Sequence, residues 1–268
     1  LAALDEALGA GGQNATPSPW EEVRDFFHYC DNYIDAVDRA AERFACPAGQ
    51  RLDPWDAGVA ALAARGIRVT RAELPANAVF RRVGTEIHVN AAAERPTQLF
   101  QLLHLVALER QSDLLDATLD LARFRSQTAR DVARVGLANY FAGAALMPYR
   151  AFLAAAQAER HDLERLAHLF DASLEQVAHR LSTLQRPGAK AVPFVFIRTD
   201  RAGNVSKRQV TAGFHFSRSG ATCPLWVVHR AFETPNRVTR QVSTTPDGRT
   251  QLWVARMVQG PAVGFGLP

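Results

Sequence analysis

Apolar positions along this chain change their period near residue 187. From residue 20 to about 184, apart from a short stretch near 67–90, they return every three or four residues, the stripe of a helix with one buried face. Val23, Phe26, Phe27, Cys30, Tyr33, Ile34 and Val37 predict one long helix over 20–44. Ser18 can cap it, Pro19 fits its first turn, and Glu21 and Glu22 suit its dipole. A short helix is expected over 54–65, closed by Gly66. Strands are expected over 67–71, 78–83 and 85–90, the last two joined at Gly84. Helices then follow over 96–110, 113–124, 128–146, 149–158, 161–170 and 173–184. After Arg186-Pro187-Gly188 the period drops to two, which predicts strands over 192–199, 206–211, 225–228, 238–244 and 252–258. The pattern describes an α+β chain. A linker over 1–19 leads into a mostly helical body with a small hairpin sheet, 20–186, followed by a β-rich domain, 187–268.

Composition narrows the class. The chain has 268 residues, 47% hydrophobic and 22% charged, an ordinary globular balance. No apolar run reaches the roughly 18 residues of a membrane span. The first residues show no basic region followed by an apolar core, and the missing initiator Met predicts a fragment of something longer. Cys30, Cys46 and Cys223 are scattered and odd in number, which argues against a disulfide scaffold and for a reducing cytoplasm. Net charge is +4, and only Lys190 and Lys207 are lysines. Arginine suits bidentate contacts to anionic ligands without demanding nucleic acid.

The stretch Leu99–Glu109 reads like a helix built to carry His-Glu-x-x-His. That motif sets two imidazoles four apart on one face with a carboxylate base between them. Here His104 is kept, Leu105 stands in the place of the base, and Leu108 in that of the second His. Leucine neither binds zinc nor activates water, so neither a metal nor a catalytic residue is assigned. Glu109 lies about 100° further round the helix and cannot substitute. On the partner helix Val135, Gly136 and Leu137 include no acid. His104 alone also fits a core histidine bonded to a carbonyl. The enzymatic alternative is a cryptic peptidase or a thiol hydrolase at Cys223, with His215 and His229 as candidate partners, although a buried structural thiol is the better account of Cys223. Residues 161–184 pattern as a helix-turn-helix with Ser173 as cap. This allows a DNA-binding module, with Glu175, Gln176 and Arg180 facing outward, or ordinary helical packing.

Four runs carry a family resemblance. Ala-Asn-Tyr-Phe-Ala-x-x-x-Leu-Met-Pro at 138–148, after a degenerate His helix, resembles the ImmA/IrrE metallopeptidase-like domain. The runs at 21–29, 192–208 and 213–226 resemble the short-chain fatty-acyl transcriptional regulators of actinobacteria, across nearly the whole chain. The resemblance implies a cytoplasmic sensor domain for acyl-CoA, such as propionyl-CoA, serving propionate metabolism and the methylcitrate cycle. DNA would be bound through an N-terminal domain that these residues do not contain. An iron–sulfur cluster or other metal would belong only to a Cys-rich C-terminal segment, also outside them. A homo-oligomer is implied as well, with the 20–44 helix as candidate seam. For the phosphates and adenine of coenzyme A the candidates are Arg81, Arg82, Tyr149, Arg150, Arg198, Lys207 and Arg208. For an acyl pocket they are His104, Leu105, Leu108, Leu137 and Phe141.

Overall fold

The computed structural model describes residues 18–75, 78–202, 204–210, 227–235, 237–244 and 248–258, with every side chain among them except those of Lys207, Arg208 and Val210. The expectations for residues 1–17, for 213–226 with His215 and Cys223, and for the side chains of Lys207 and Arg208 lie outside these. The chain divides into two compact units, the first made of 1–196 with 209–213, the second of 197–208 with 214–268.

The first unit opens with α1 (Pro19–Tyr29) and α2 (Asp35–Ala45), not one long helix. Ser18 caps α1 in a full capping box with Glu21. The break comes at Asp31 and Asn32, whose φ values are 52° and 56°. Short polar side chains tolerate this left-handed region better than other residues. α2 buries Val37, Ala40, Ala41 and Ala45 in the shared core, so this half of the candidate seam already packs inside the unit.

α3 (Pro54–Ala63) is capped by Asp53, which accepts from the N–H groups of Trp55 and Asp56. It leads through Gly66, at φ 74°, into β1 (Arg68–Ala72). β2 (Phe80–Val83) and β3 (Glu86–Asn90) form the expected hairpin. The strand order is β1-β3-β2, with β3 parallel to β1 and antiparallel to β2. Ile87 and Val89 of the central strand are buried. Then come α4 (Arg95–Arg110), α5 (Ser112–Ala122), α6 (Gln127–Leu146), α7 (Tyr149–Ala158), α8 (Leu163–Phe170) and α9 (Leu174–Ser182). α4 and α6 together supply a large share of the core, including Leu99, Leu102, Leu103, Val106, Leu137 and Phe141. α3 reaches α4 closely because residue 58 is glycine. A Cβ there would sit 2.7 Å from two carbons of Leu102.

One buried ionic cluster closes this unit. Asp38 of α2 is fully buried, and Arg180 of α9 and Arg186 beyond it are 2% and 5% exposed. Arg180 donates from two nitrogens to the Asp38 carboxylate at 2.6 and 3.3 Å, and from Nε to the Met147 carbonyl at 2.9 Å. Arg186 donates to Asp38 at 3.1 Å and pairs with Glu42 at 2.8 Å. The Tyr140 hydroxyl donates to Asp38 at 2.8 Å, and Tyr33 accepts from Arg186 Nε. Tyr149 lies under both guanidiniums. Its hydroxyl accepts from the Arg186 N–H and donates to the Ala189 carbonyl. Burial alone would lower the pKa of each arginine. The Asp38 charge more than offsets this for Arg180, and bonds to Tyr33 and Glu42 do so for Arg186, so both are held above the ordinary value. Two cations and two carboxylates thus balance with their donors satisfied, the condition under which buried charge is tolerated. Residues 183–186, irregular in backbone, are buried as a result.

β4 (Val195–Thr199) and β5 (Val205–Val210) pair, as do β6 (Thr239–Thr244) and β7 (Thr250–Ala255) in antiparallel register. Of the expected strand at 225–228, the described residues 227 and 228 instead begin α10 (Val227–Glu233). Val227 and Ala231, four apart, bury its inner face, so packing overrides the β-branched pair Val227-Val228. The whole is α+β. Among the described residues no helix is long and apolar enough to cross a membrane.

Candidate functional site

α4 and α6 lie side by side, so the positions of the degenerate motif do meet. His104 is half-buried, and its ring interacts with the Asn139 side-chain amide of α6. Its Nδ1 is buried without a partner. Leu105, Leu137 and Phe141 are buried core residues, and Leu108 is partly buried against them. They fill the space between the helices with their own side chains. Hollows bordered by described residues include one of about 350 Å³ along α8 and one of about 150 Å³ in the second unit. Among the described residues neither is lined by His104 or by these leucines. No group of three or more His, Cys, Asp or Glu side chains among the described residues could hold a metal ion.

Desolvation lowers the His104 pKa below its ordinary 6.5, opposed in part by the bond to Asn139. The folded state therefore resists a proton that the unfolded chain accepts. Its contribution is fully present above pH 6.5 and is lost as pH falls from there through the folded value. His104→Gln should make the decline of the urea midpoint between about pH 7.5 and 5.5 shallower than in the wild type. An equal or steeper decline would show that His104 does not contribute.

The proposed coenzyme A contacts of the first unit do not share one set of partners. Arg82 is exposed and pairs with Glu109 of α4, while Arg81 beside it is exposed. Arg150 is exposed at the start of α7, its N–H donating to Glu42 at 2.9 Å. Tyr149 is fully buried in the ionic cluster, not at a pocket mouth. Arg198 is exposed on β4 in the second unit. The sequence reading missed a different concentration of guanidinium and aromatic groups. Arg71 stacks 3.6 Å above Trp55 and donates to Gln98. Arg51 lies 4.6 Å over Phe170. Arg95 bonds Asp171 at 3.1 Å and approaches Asp53 at 3.7 Å. Arg51, Arg71 and Arg95 keep exposed surface. They come from a loop, a strand and a helix start some twenty residues apart, a spacing with no local signature.

The helix-turn-helix reading meets a specific obstacle. α9 is capped by Ser173 with Gln176, as expected, but Gln176 also donates to the Pro96 carbonyl at 3.3 Å. Arg180 is committed to Asp38. Two of the three side chains expected to reach DNA therefore face the protein.

Comparison with known proteins agrees with this layout. Residues 62–182 match the family described as IrrE N-terminal-like domain, peptidase M78. Residues 183–268 match the one described as short-chain fatty acyl coenzyme A regulator, C-terminal. The propionyl-CoA carboxylase regulator of Cereibacter sphaeroides is 59% identical over 268 residues, all of this chain and 58% of that protein. The HTH-type transcriptional regulator PrpR of Mycobacterium tuberculosis is 46% identical over 256 residues, 94% of this chain and 53% of that one. A solved Mycobacterium tuberculosis transcriptional regulator superposes with a TM-score of 0.87 at 45% identity, covering 94% of this chain and 78% of that chain. The chain spans somewhat over half the length of the curated relatives it matches.

Proposed function

The chain belongs to the family of short-chain fatty acyl coenzyme A regulators, and from that premise we propose that it senses an acyl-CoA thioester, such as propionyl-CoA, for a transcriptional regulator of short-chain acyl-CoA metabolism. The observation that carries this reading is the altered motif between α4 and α6. The scaffold is complete, but leucines packed into the core stand where a peptidase needs its base and its second imidazole. A fold kept without its hydrolytic residues fits binding better than turnover.

Acyl-CoA would act by binding one conformation of the regulator more tightly than another, and DNA affinity would follow that equilibrium. DNA would be held through a separate domain, and the assembly would be a cytoplasmic homo-oligomer. The inward-facing Gln176 and Arg180 favour packing over direct DNA contact by α8 and α9.

Calorimetric titration with coenzyme A, propionyl-CoA and longer acyl-CoAs tests the reading. Saturable binding that weakens with added salt is expected, because the ligand's phosphates meet arginine. Absence of heat and of thermal stabilisation with every thioester would overturn it.

A further inference from the structure

The second unit holds a hollow of about 150 Å³ bordered by Arg201, His229, Phe232 and Glu233. His229, Phe232 and Glu233 stand at i, i+3 and i+4 on α10, so they share one face. The opposite face, with Val227 and Ala231, is buried. Arg201 comes from the turn between β4 and β5. No hydrogen bond or ion pair of these three polar side chains occurs among the described residues. A guanidinium, an imidazole and a carboxylate therefore converge unpaired beside an aromatic ring, the composition of a ligand site rather than of a surface ion-pair network.

The chemistry of the four groups restricts the ligand. Arg201 only donates and ionised Glu233 only accepts. Phe232 offers a face for a flat ring. The site lies at the C-terminal end of α10, where the helix dipole and Glu233 both disfavour an anion. A phosphate alone is therefore a poor occupant. Adenine meets each demand, because its edge sets acceptor ring nitrogens beside an amino donor.

We infer that this hollow is an adenine subsite. The base stacks on Phe232, its amino group donates to Glu233, and a ring nitrogen accepts from Arg201. The inference rests on the acyl-CoA reading, for which it supplies the place of the nucleoside end. It also gives a selectivity. Hypoxanthine carries an acceptor oxygen where adenine carries the amino group, and that oxygen would face the Glu233 carboxylate.

The test titrates the 268-residue protein with propionyl-CoA, adenosine 3′,5′-bisphosphate, its inosine counterpart and S-propionyl pantetheine. Adenosine bisphosphate is expected to bind at least about tenfold more tightly than the inosine form, and Phe232→Ala to weaken propionyl-CoA by about tenfold or more. Arg201→Gln and Glu233→Gln alter exposed side chains, so they keep the test open should Phe232→Ala fail to fold. Both are expected to weaken adenosine bisphosphate while leaving S-propionyl pantetheine unchanged. Propionyl-CoA binding with equal affinity to wild type and all three variants would overturn the subsite and leave the sensor reading standing. Adenosine bisphosphate binding without any acyl-CoA binding would overturn the sensor reading and keep the subsite. Equal affinity for adenine and hypoxanthine would overturn the subsite.

Discussion

Asp38→Ala is expected to remove about 3–5 kcal/mol of folding free energy, the loss typical when one partner of a buried ion pair is taken away. The carboxylate accepts from Arg180, Arg186 and Tyr140, and no solvent reaches it. Without it two buried guanidiniums share the single carboxylate of Glu42, which only Arg186 contacts. Arg180 keeps the Met147 carbonyl and the Thr183 hydroxyl, but no countercharge. Urea unfolding followed by circular dichroism reads the loss. The double variant Asp38→Leu with Arg180→Met should cost clearly less than the two single changes added together, since it removes charge and countercharge at once. A single-variant loss below about 1 kcal/mol would mean that the cluster is surface-like in its energetics.

Leu137→Glu is expected to cost at least about 3 kcal/mol. Leu137 is fully buried among the side chains of α4 and α6. His104 on the facing helix is a poor countercharge, because desolvation lowers its pKa. The same change therefore cannot serve as a simple probe of ligand binding, because loss of the fold would imitate loss of affinity. A midpoint within experimental error of the wild type would show that the space between α4 and α6 admits water. That result would reopen Leu105, Leu108 and Leu137 as the walls of a pocket.

Much of this architecture was legible in advance. The helices of the first unit begin and end within a few residues of their expected positions, because Ser18, Asp53, Ser173 and Gly66 mark ends by mechanisms that operate locally. The break at Asp31 and Asn32 escaped notice because the apolar stripe resumes beyond it with Tyr33, Ile34 and Val37. The identity of α10 escaped because two adjacent valines favour a strand, and only the tertiary partner decides. The ionic cluster was illegible for a different reason. Asp38 and Arg180 are 142 residues apart, and no pattern along the chain marks two side chains that meet only after folding. Arg180 looked like the weakly cationic end of a recognition helix. Leucine at 105, 108 and 137 supplies neither a base, a second imidazole nor an acid, but a lining and a filled core use the same residues.

The cluster also bears on how such chains can be inherited. The two family matches meet between residues 182 and 183, and that seam runs through it: Asp38 precedes both matches, Arg180 ends the first, and Arg186 begins the second. A helical body joined by recombination to a foreign C-terminal module without an arginine in that place would leave Glu42 and Asp38 short of a cation. A module carried onto a foreign body without those carboxylates would bring a stranded guanidinium. Exchange between lineages therefore carries a lower stability cost when both pieces travel together.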